Sequence, residues 1–191
     1  MIDGEEKLIK DAIRGNSSAF GALYDSYQPM IYRFVLVKTG SREEAEDITH
    51  QVFLSAWQNV RTYKHRGHPF SSWLYQIARN QVIDFYRAKK SDIALDALDP
   101  EYFAVPTTVS ADLAAKLEIE KVRRAIEQLK PDYQDVIILR FIEDVSLKET
   151  AAAIGKTEGA VKLMQHRAMK ELQKILGVHE ANEPFRNPQT I

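Results

Sequence analysis

Residues 146–167 read SLKETAAAIGKTEGAVKLMQHR, and the fold turns on how this stretch is interpreted. Ser146 can cap a helix, and Glu149 stands where it completes a capping box. Ala151 is small where two helices would cross, and Gly155, four residues on, supplies the left-handed backbone of a tight turn. Thr157 can cap a second helix. Val161, six residues after the glycine, is placed to bury against the first, and Met164, Ala168, Leu172 and Ile175 continue the apolar stripe. This spacing predicts a helix-turn-helix, although an ordinary helical hairpin has the same local grammar. The outer face of the second helix separates the two readings. It carries Lys162, Leu163, His166, Arg167 and Lys170. Lysine and arginine there can donate to guanine O6 and N7, and leucine can meet a thymine methyl. Lys156 and Lys170 are placed for phosphates, and Thr157 lies at the same tip.

Working outward, the composition allows one medium domain or two small ones: 191 residues, 45% hydrophobic and 28% charged. With no cysteine, disulfide and thiolate chemistry are excluded, which fits a reducing cytosol. The first fifteen residues are charged and lack the apolar core of a signal peptide. No apolar run approaches the roughly 18 residues of a membrane span. The net charge of -1 conceals an uneven distribution. Residues 61–90 hold Arg61, Lys64, Arg66, Arg79, Arg87, Lys89 and Lys90 against Asp84 alone. Residues 91–120 hold seven acids against Lys116 alone. The first block can follow phosphates and the second would be repelled by them; each is equally readable as a solvated face.

Helical periodicity runs through most of the chain. Leu8, Ile9, Ala12 and Ile13 share one face; Phe20, Leu23, Tyr24, Tyr27, Ile31, Phe34 and Val35 form another over residues 19–38. Pro29 is expected to kink that helix or start a new turn. Gly40 stops it and Ser41 caps the next, which carries Ile48, Val52, Phe53, Ala56 and Trp57. Residues 61–69 read as a loop. Ser71 or Ser72 is expected to cap a helix running to about residue 89, with Trp73, Leu74, Ile77, Ala78, Val82 and Phe85 apolar. Periodicity fails over 91–110, an acidic, proline-containing linker. A second helical set begins at 112, Pro131 starts a helix, and 136–142 is strongly apolar. The last helix closes at Gly177, followed by a frayed tail. The expected fold is therefore all-α, with two small helical domains on an acidic tether.

Three segments resemble the extracytoplasmic-function group of sigma factors, the small members of the sigma-70 family. AEDITHQVFLSAW (45–57) resembles the helix that grips core RNA polymerase. FSSWLYQIARNQVIDFYRAKK (70–90) resembles the helix that engages the promoter minus-ten element. LKPDYQDVIILRFIEDVSLKETAAAIGKTEGAVKLMQHRA (129–168) resembles the reader of the minus-thirty-five element. The resemblance implies region 2 over 1–90, a linker over 91–111, region 4 over 112–177 and a flexible tail over 178–191. It implies polymerase contact by Glu44, Asp47, Ile48, Gln51 and Phe53, in a helix whose acids are otherwise a solvated face. It implies minus-ten contact by Lys64, Arg66, Phe70, Arg79, Asn80 and Arg87, with a pocket for a flipped base at the 61–69 loop and Phe70. Minus-thirty-five contact falls to Lys156, Thr157, Lys162, Leu163, His166, Arg167 and Lys170. Core RNA polymerase, promoter DNA and an anti-sigma factor are the implied partners of a cytoplasmic monomer with no cofactor and no membrane insertion.

The chain departs from the family in two places. His50-Gln51 stands where members often have Gln-Glu, and Leu163-Met164 where many have serine and arginine. Met164 reads equally as core or contact. Trp73, Tyr75 and Tyr86 are open between core and base stacking, and Arg140 between DNA backbone and Glu149. An enzyme is disfavoured: the five histidines are scattered, His65 and His68 lack a nearby cysteine or carboxylate, and there is no glycine-rich phosphate loop. The rival is a helix-turn-helix repressor or activator with a helical sensor domain, which would bind a palindrome as a dimer.

Overall fold

The computed structural model describes residues 4–64, 67–93 and 111–178, and every regular element among them is helical. The order is α1 (Glu5–Ile13), α2 (Ser17–Thr39), α3 (Arg42–Asn59), a 3-10 turn (Val60–Thr62), α4 (Phe70–Ile93), α5 (Ala111–Glu127), α6 (Pro131–Ile137), a π-helical turn (Ile138–Ile142), α7 (Leu147–Ile154) and α8 (Glu158–Leu176). The stretch 94–110 and the tail from 179 lie outside the described residues.

In the N-terminal half, α2 packs on α1, α3 and α4, and α3 packs on α4. Leu23, Ile31, Phe34, Val35, Val52 and Leu74 are fully buried between them. The helix boundaries follow the expected punctuation. Asn16 caps α2 by accepting from the Ala19 N–H, Gly40 ends it in the left-handed region at φ 70°, and Ser41 caps α3 by accepting from Glu44 N–H. Pro29 does not start a new helix; α2 runs through it. The buried stripe Leu23, Tyr27, Ile31, Phe34 and Val35 crosses the proline and outweighs one missing ladder bond. At the other end of the stripe the Tyr27 hydroxyl donates to the buried Glu5 carboxylate at 2.7 Å. Burial and this carboxylate together push the Tyr27 phenol far above its ordinary pKa, so it remains a proton donor.

The expected caps at Ser71 and Ser72 are corrected. Helix α4 already begins at Phe70, and the Ser72 N–H donates to the Pro69 carbonyl. The Ser72 side chain is buried and donates instead to the Glu149 carbonyl at 3.3 Å.

In the C-terminal half, α8 packs against α5, α6 and α7. Pro131 occupies the first turn of α6, where its missing N–H breaks no bond. The apolar run 136–142 does not stay α-helical. Glu143 N–H reaches back to the Ile138 carbonyl and Val145 N–H to Leu139. This wider turn keeps Ile138 and Leu139 in the core while Phe141 and Ile142 face outward. The halves meet where α4 packs against α7.

Candidate nucleic-acid interface

The helix-turn-helix forms as its residues prescribe. Glu149 N–H donates to Ser146 Oγ at 3.2 Å, and Ser146 N–H donates to Glu149 Oε2 at 3.1 Å. Gly155 sits at φ 66°, and Lys156 N–H closes the helix end onto the Ala151 carbonyl at 3.0 Å. A Cβ at position 155 would meet nothing within 4 Å, so backbone conformation alone demands the glycine. Thr157 Oγ1 accepts from Ala160 N–H and starts α8. Ala151, Val161, Ala168 and Leu172 are buried at the crossing. Met164 packs half-buried against the same core, which places it on the inner side.

On the outer side Lys162, Leu163, His166, Arg167 and Lys170 are all exposed, with Leu163 at 50%. Lys156 is exposed at the turn, 3.9 Å from Asp132. Four fixed positive charges and one uncovered leucine thus line the projecting face, the mix that reads phosphates and base edges. Arg140 does not pair with Glu149. It is buried and donates to the Val145 carbonyl and, at 3.2 Å, to Gln165 Oε1, holding the bend before α7.

The structure divides the minus-ten candidates. Asn80, Arg87 and Lys64 are exposed, Arg87 beside Asp84 at 3.2 Å; Arg66 lies outside the described residues. Phe70, expected at a base pocket, lies in the core at 1% exposure within a ring cluster of Tyr27, Tyr63 and Trp73. Trp73 belongs to that cluster, half-buried. Tyr86 is exposed at its ring, with its hydroxyl donating to the Lys38 carbonyl at 2.8 Å. Arg79, expected at minus-ten DNA, is engaged within the chain. Its guanidinium donates to Asp135 at 2.7 Å and Asp132 at 2.6 Å, so in this state it faces the other half of the chain. Tyr75, four residues before it on α4, is buried, its hydroxyl 3.4 Å from Glu143. Within the 61–69 loop, Tyr63 Oη and His68 Nδ1 are buried without a hydrogen-bond partner among the described residues.

On α3, Asp47 and Gln51 are exposed on one face. Glu44 is half-buried and accepts from Lys89 at 2.7 Å. Ile48 and Phe53, implied by the resemblance as polymerase contacts, lie in the core of the free chain, Phe53 edge-on to Tyr24. Leu54 is 43% exposed beside them. Its position three after Gln51 and seven after Asp47 continues their face, a signal already present in the helical spacing. A groove of about 590 Å³ beside that face is lined by Glu44, Asp47, Gln51, Gln81 and Phe85, between α3 and α4.

Comparison with known proteins gives these surfaces a context. Residues 23–91 match the Sigma-70 region 2 family and residues 119–172 match Sigma-70, region 4. The ECF RNA polymerase sigma factor SigW of Bacillus subtilis is 33% identical over 180 residues, covering 90% of this chain and 96% of SigW. The ECF RNA polymerase sigma factor BldN of Streptomyces coelicolor is 33% identical over 173 residues, covering 89% of this chain and 65% of BldN, so the chain spans just under two thirds of that longer relative. The fold is that of the Bartonella quintana sigma factor RpoE, solved in complex with the anti-sigma factor NepR: TM-score 0.68 at 23% identity, covering 84% of this chain and 98% of that one. The chain belongs to the ECF group of RNA polymerase sigma factors.

Proposed function

We propose that this chain binds core RNA polymerase and directs promoter-specific initiation, reading minus-thirty-five and minus-ten DNA and helping to open the duplex. One observation carries the reading: a complete helix-turn-helix with an uncovered basic face occurs in the same chain as an exposed Asp47–Gln51–Leu54 face on α3. Lys156, Lys162, Leu163, His166, Arg167 and Lys170 take the upstream element, with Thr157 holding the tip of α8. Lys64, Asn80, Arg87 and the 61–69 loop take the minus-ten element. Asp47, Gln51 and Leu54 take polymerase, with Glu44 ordered by Lys89 beside them. The functional units are 1–90 and 112–177, joined by 91–111. The rival sensor-domain reading loses its ground because it would assign the region 2 segment, 23–91, to a ligand sensor.

The protein performs no covalent chemistry; its work is recognition. Separating duplex costs about 1.4 kcal/mol per stacked step, or about 14 kcal/mol for a bubble of roughly ten steps. Each captured base returns about 1–3 kcal/mol. A few captured bases leave most of the cost unmet, so contacts made by polymerase supply the remainder. The cytoplasm is the place of action, and no helix among the described residues is long and apolar enough to cross a membrane. An anti-sigma factor is the regulatory partner, by similarity to the RpoE–NepR pair.

The test is run-off transcription with purified core polymerase. Initiation that depends on the chain supports the reading, and no dependence at any promoter overturns it. Stable opening of linear promoter DNA by the chain alone, followed with a fluorescent base analogue, would overturn the energetic argument.

A further inference from the structure

Helix α8 is held in one rotation about its axis. Val161 and Ala168 are both fully buried, and Met164 packs half-buried on the same side. On the flank, Gln165 Oε1 accepts from Arg140 Nε at 3.2 Å, and Arg140 is tied in turn to the Val145 carbonyl. At about 100° per residue, Leu163 stands about 160° from Val161 and about 140° from Ala168. It therefore points away from the body of the protein, and half of it is exposed.

The crest so defined has an order along the helix. His166, Arg167 and Lys170 lie within about 60° of Leu163 and all follow it. One turn before it, about 40° away, comes Gly159, where an added Cβ would meet nothing within 4 Å. Bare backbone at that position lets the start of α8 approach a surface closely. The start of the second helix is also the end of a helix-turn-helix that contacts base edges. Leu163 is thus the first long side chain of the crest that a major groove meets.

Its chemistry narrows what it can meet. A single exposed leucine on an ordinary surface needs no explanation. Here its neighbours on the crest are hydrogen-bond donors, and Leu163 has neither donor nor acceptor. Base edges in the major groove carry acceptors, amino groups and one apolar group, the C5-methyl of thymine. Against N7, O6, O4 or an amino group, leucine displaces water and returns no hydrogen bond. Against the methyl it strands no polar group and removes apolar surface from water. 5-Methylcytosine presents the same methyl.

We propose that Leu163 is a specificity-determining residue that reads a pyrimidine C5-methyl, with thymine as its ordinary source, at one position of the upstream element. The proposal rests on the upstream-element role assigned to α8 above and adds the chemical group that its leading side chain selects.

The holoenzyme formed with core RNA polymerase first selects its upstream element from templates randomised there and sharing one minus-ten element. Run-off transcription at limiting holoenzyme then compares each thymine of that element, on either strand, with deoxyuridine, which pairs identically and lacks only the methyl. At one position uracil is expected to lower promoter use about fourfold, the worth of one buried methyl. Leu163→Ala is expected to use the two templates equally. Leu163→Met, still apolar, is expected to keep the preference, and Arg167→Ala to lower use of both templates while keeping their ratio. A selected element without thymine, equal use of thymine and uracil at every position, or a preference that survives in Leu163→Ala overturns the proposal. Cytosine compared with 5-methylcytosine at the same position decides the source. A similar gain assigns the contact to the methyl of either pyrimidine, and no gain confines it to thymine; either result upholds the methyl contact. No chain-dependent initiation on any template sinks the promoter reading itself, and the same substitutions in duplex selected by the full chain alone then judge Leu163.

Discussion

Arg167→Ala separates DNA reading from folding more sharply than other substitutions in α8. Arg167 is exposed and shows no hydrogen bond or ion pair among the described residues. Its truncation removes no folded-state contact, and alanine is at least as good a helix former, so the stability change is expected within about 0.5 kcal/mol. A bidentate contact to guanine is worth about 1–3 kcal/mol. At about 0.59 kcal/mol per RT this becomes a loss of about fivefold to 150-fold in promoter use at limiting protein. The assay is run-off transcription with core polymerase on two templates that share a minus-ten element, one with an intact and one with a scrambled minus-thirty-five element. The loss is expected on the intact template only, with an unchanged thermal midpoint and unchanged core binding. A phosphate contact behaves differently, weakening all sequences alike and lowering the salt slope by about one. Equal loss on both templates, or a lowered midpoint, refutes the base-reading role.

Leu54→Asp is expected to weaken core polymerase binding at least about tenfold with little effect on urea denaturation, because the side chain is 43% exposed and fills no core position. Retained affinity would remove Leu54 from that surface. Val161→Ala empties a fully buried site at the helix crossing and is expected to cost about 2 kcal/mol in urea denaturation, against almost nothing for Leu163→Ala on the outer face. Glu120 gives an acid prediction. Its hydrogen bonds to Arg123, with Arg124 adding, hold its carboxyl down to about 2. An unfolded glutamate titrates near about 4.3, so this contribution is complete above that pH and lost as pH falls through 2. Glu120→Gln should flatten the helical circular-dichroism loss across that window, and an unchanged acid curve would count against it.

The helix-turn-helix was legible because its instructions are local. The capping box, the left-handed glycine, the threonine cap and the buried valine all lie within 146–167, and each is satisfied by its neighbours. The ends of α2 and α3 were legible for the same reason. What resisted reading depends on distant partners. Arg79 sits in a basic block that suggests DNA, but its carboxylates are 53 and 56 positions away, and Arg33 is 110 positions from Glu143. No local pattern announces such pairs. For Ile48 and Phe53 two signals differ in kind. Their apolar periodicity places them inward, where the structure buries them, while their assignment to polymerase comes from family position alone. The π-helical turn escaped because an apolar run such as 136–142 is compatible with a continuous helix, and only the need to bury Ile138 and Leu139 while turning toward Val145 widens it.

The charged character of the contact between the halves bears on solubility. A hinge sealed mainly by hydrocarbon would, on opening, uncover a sticky surface inviting self-association. Here the groups at the contact, Arg33, Lys38, Arg79, Asp132, Asp135 and Glu143, are ones that water solvates well, so hydration would compensate much of any attraction lost there. At the contact the N-terminal half contributes Arg33, Lys38 and Arg79 and the C-terminal half Asp132, Asp135 and Glu143, so faces of the same kind on different molecules repel one another. A contact of this kind is therefore less adhesive toward other proteins, wherever it is uncovered, than one sealed by hydrocarbon.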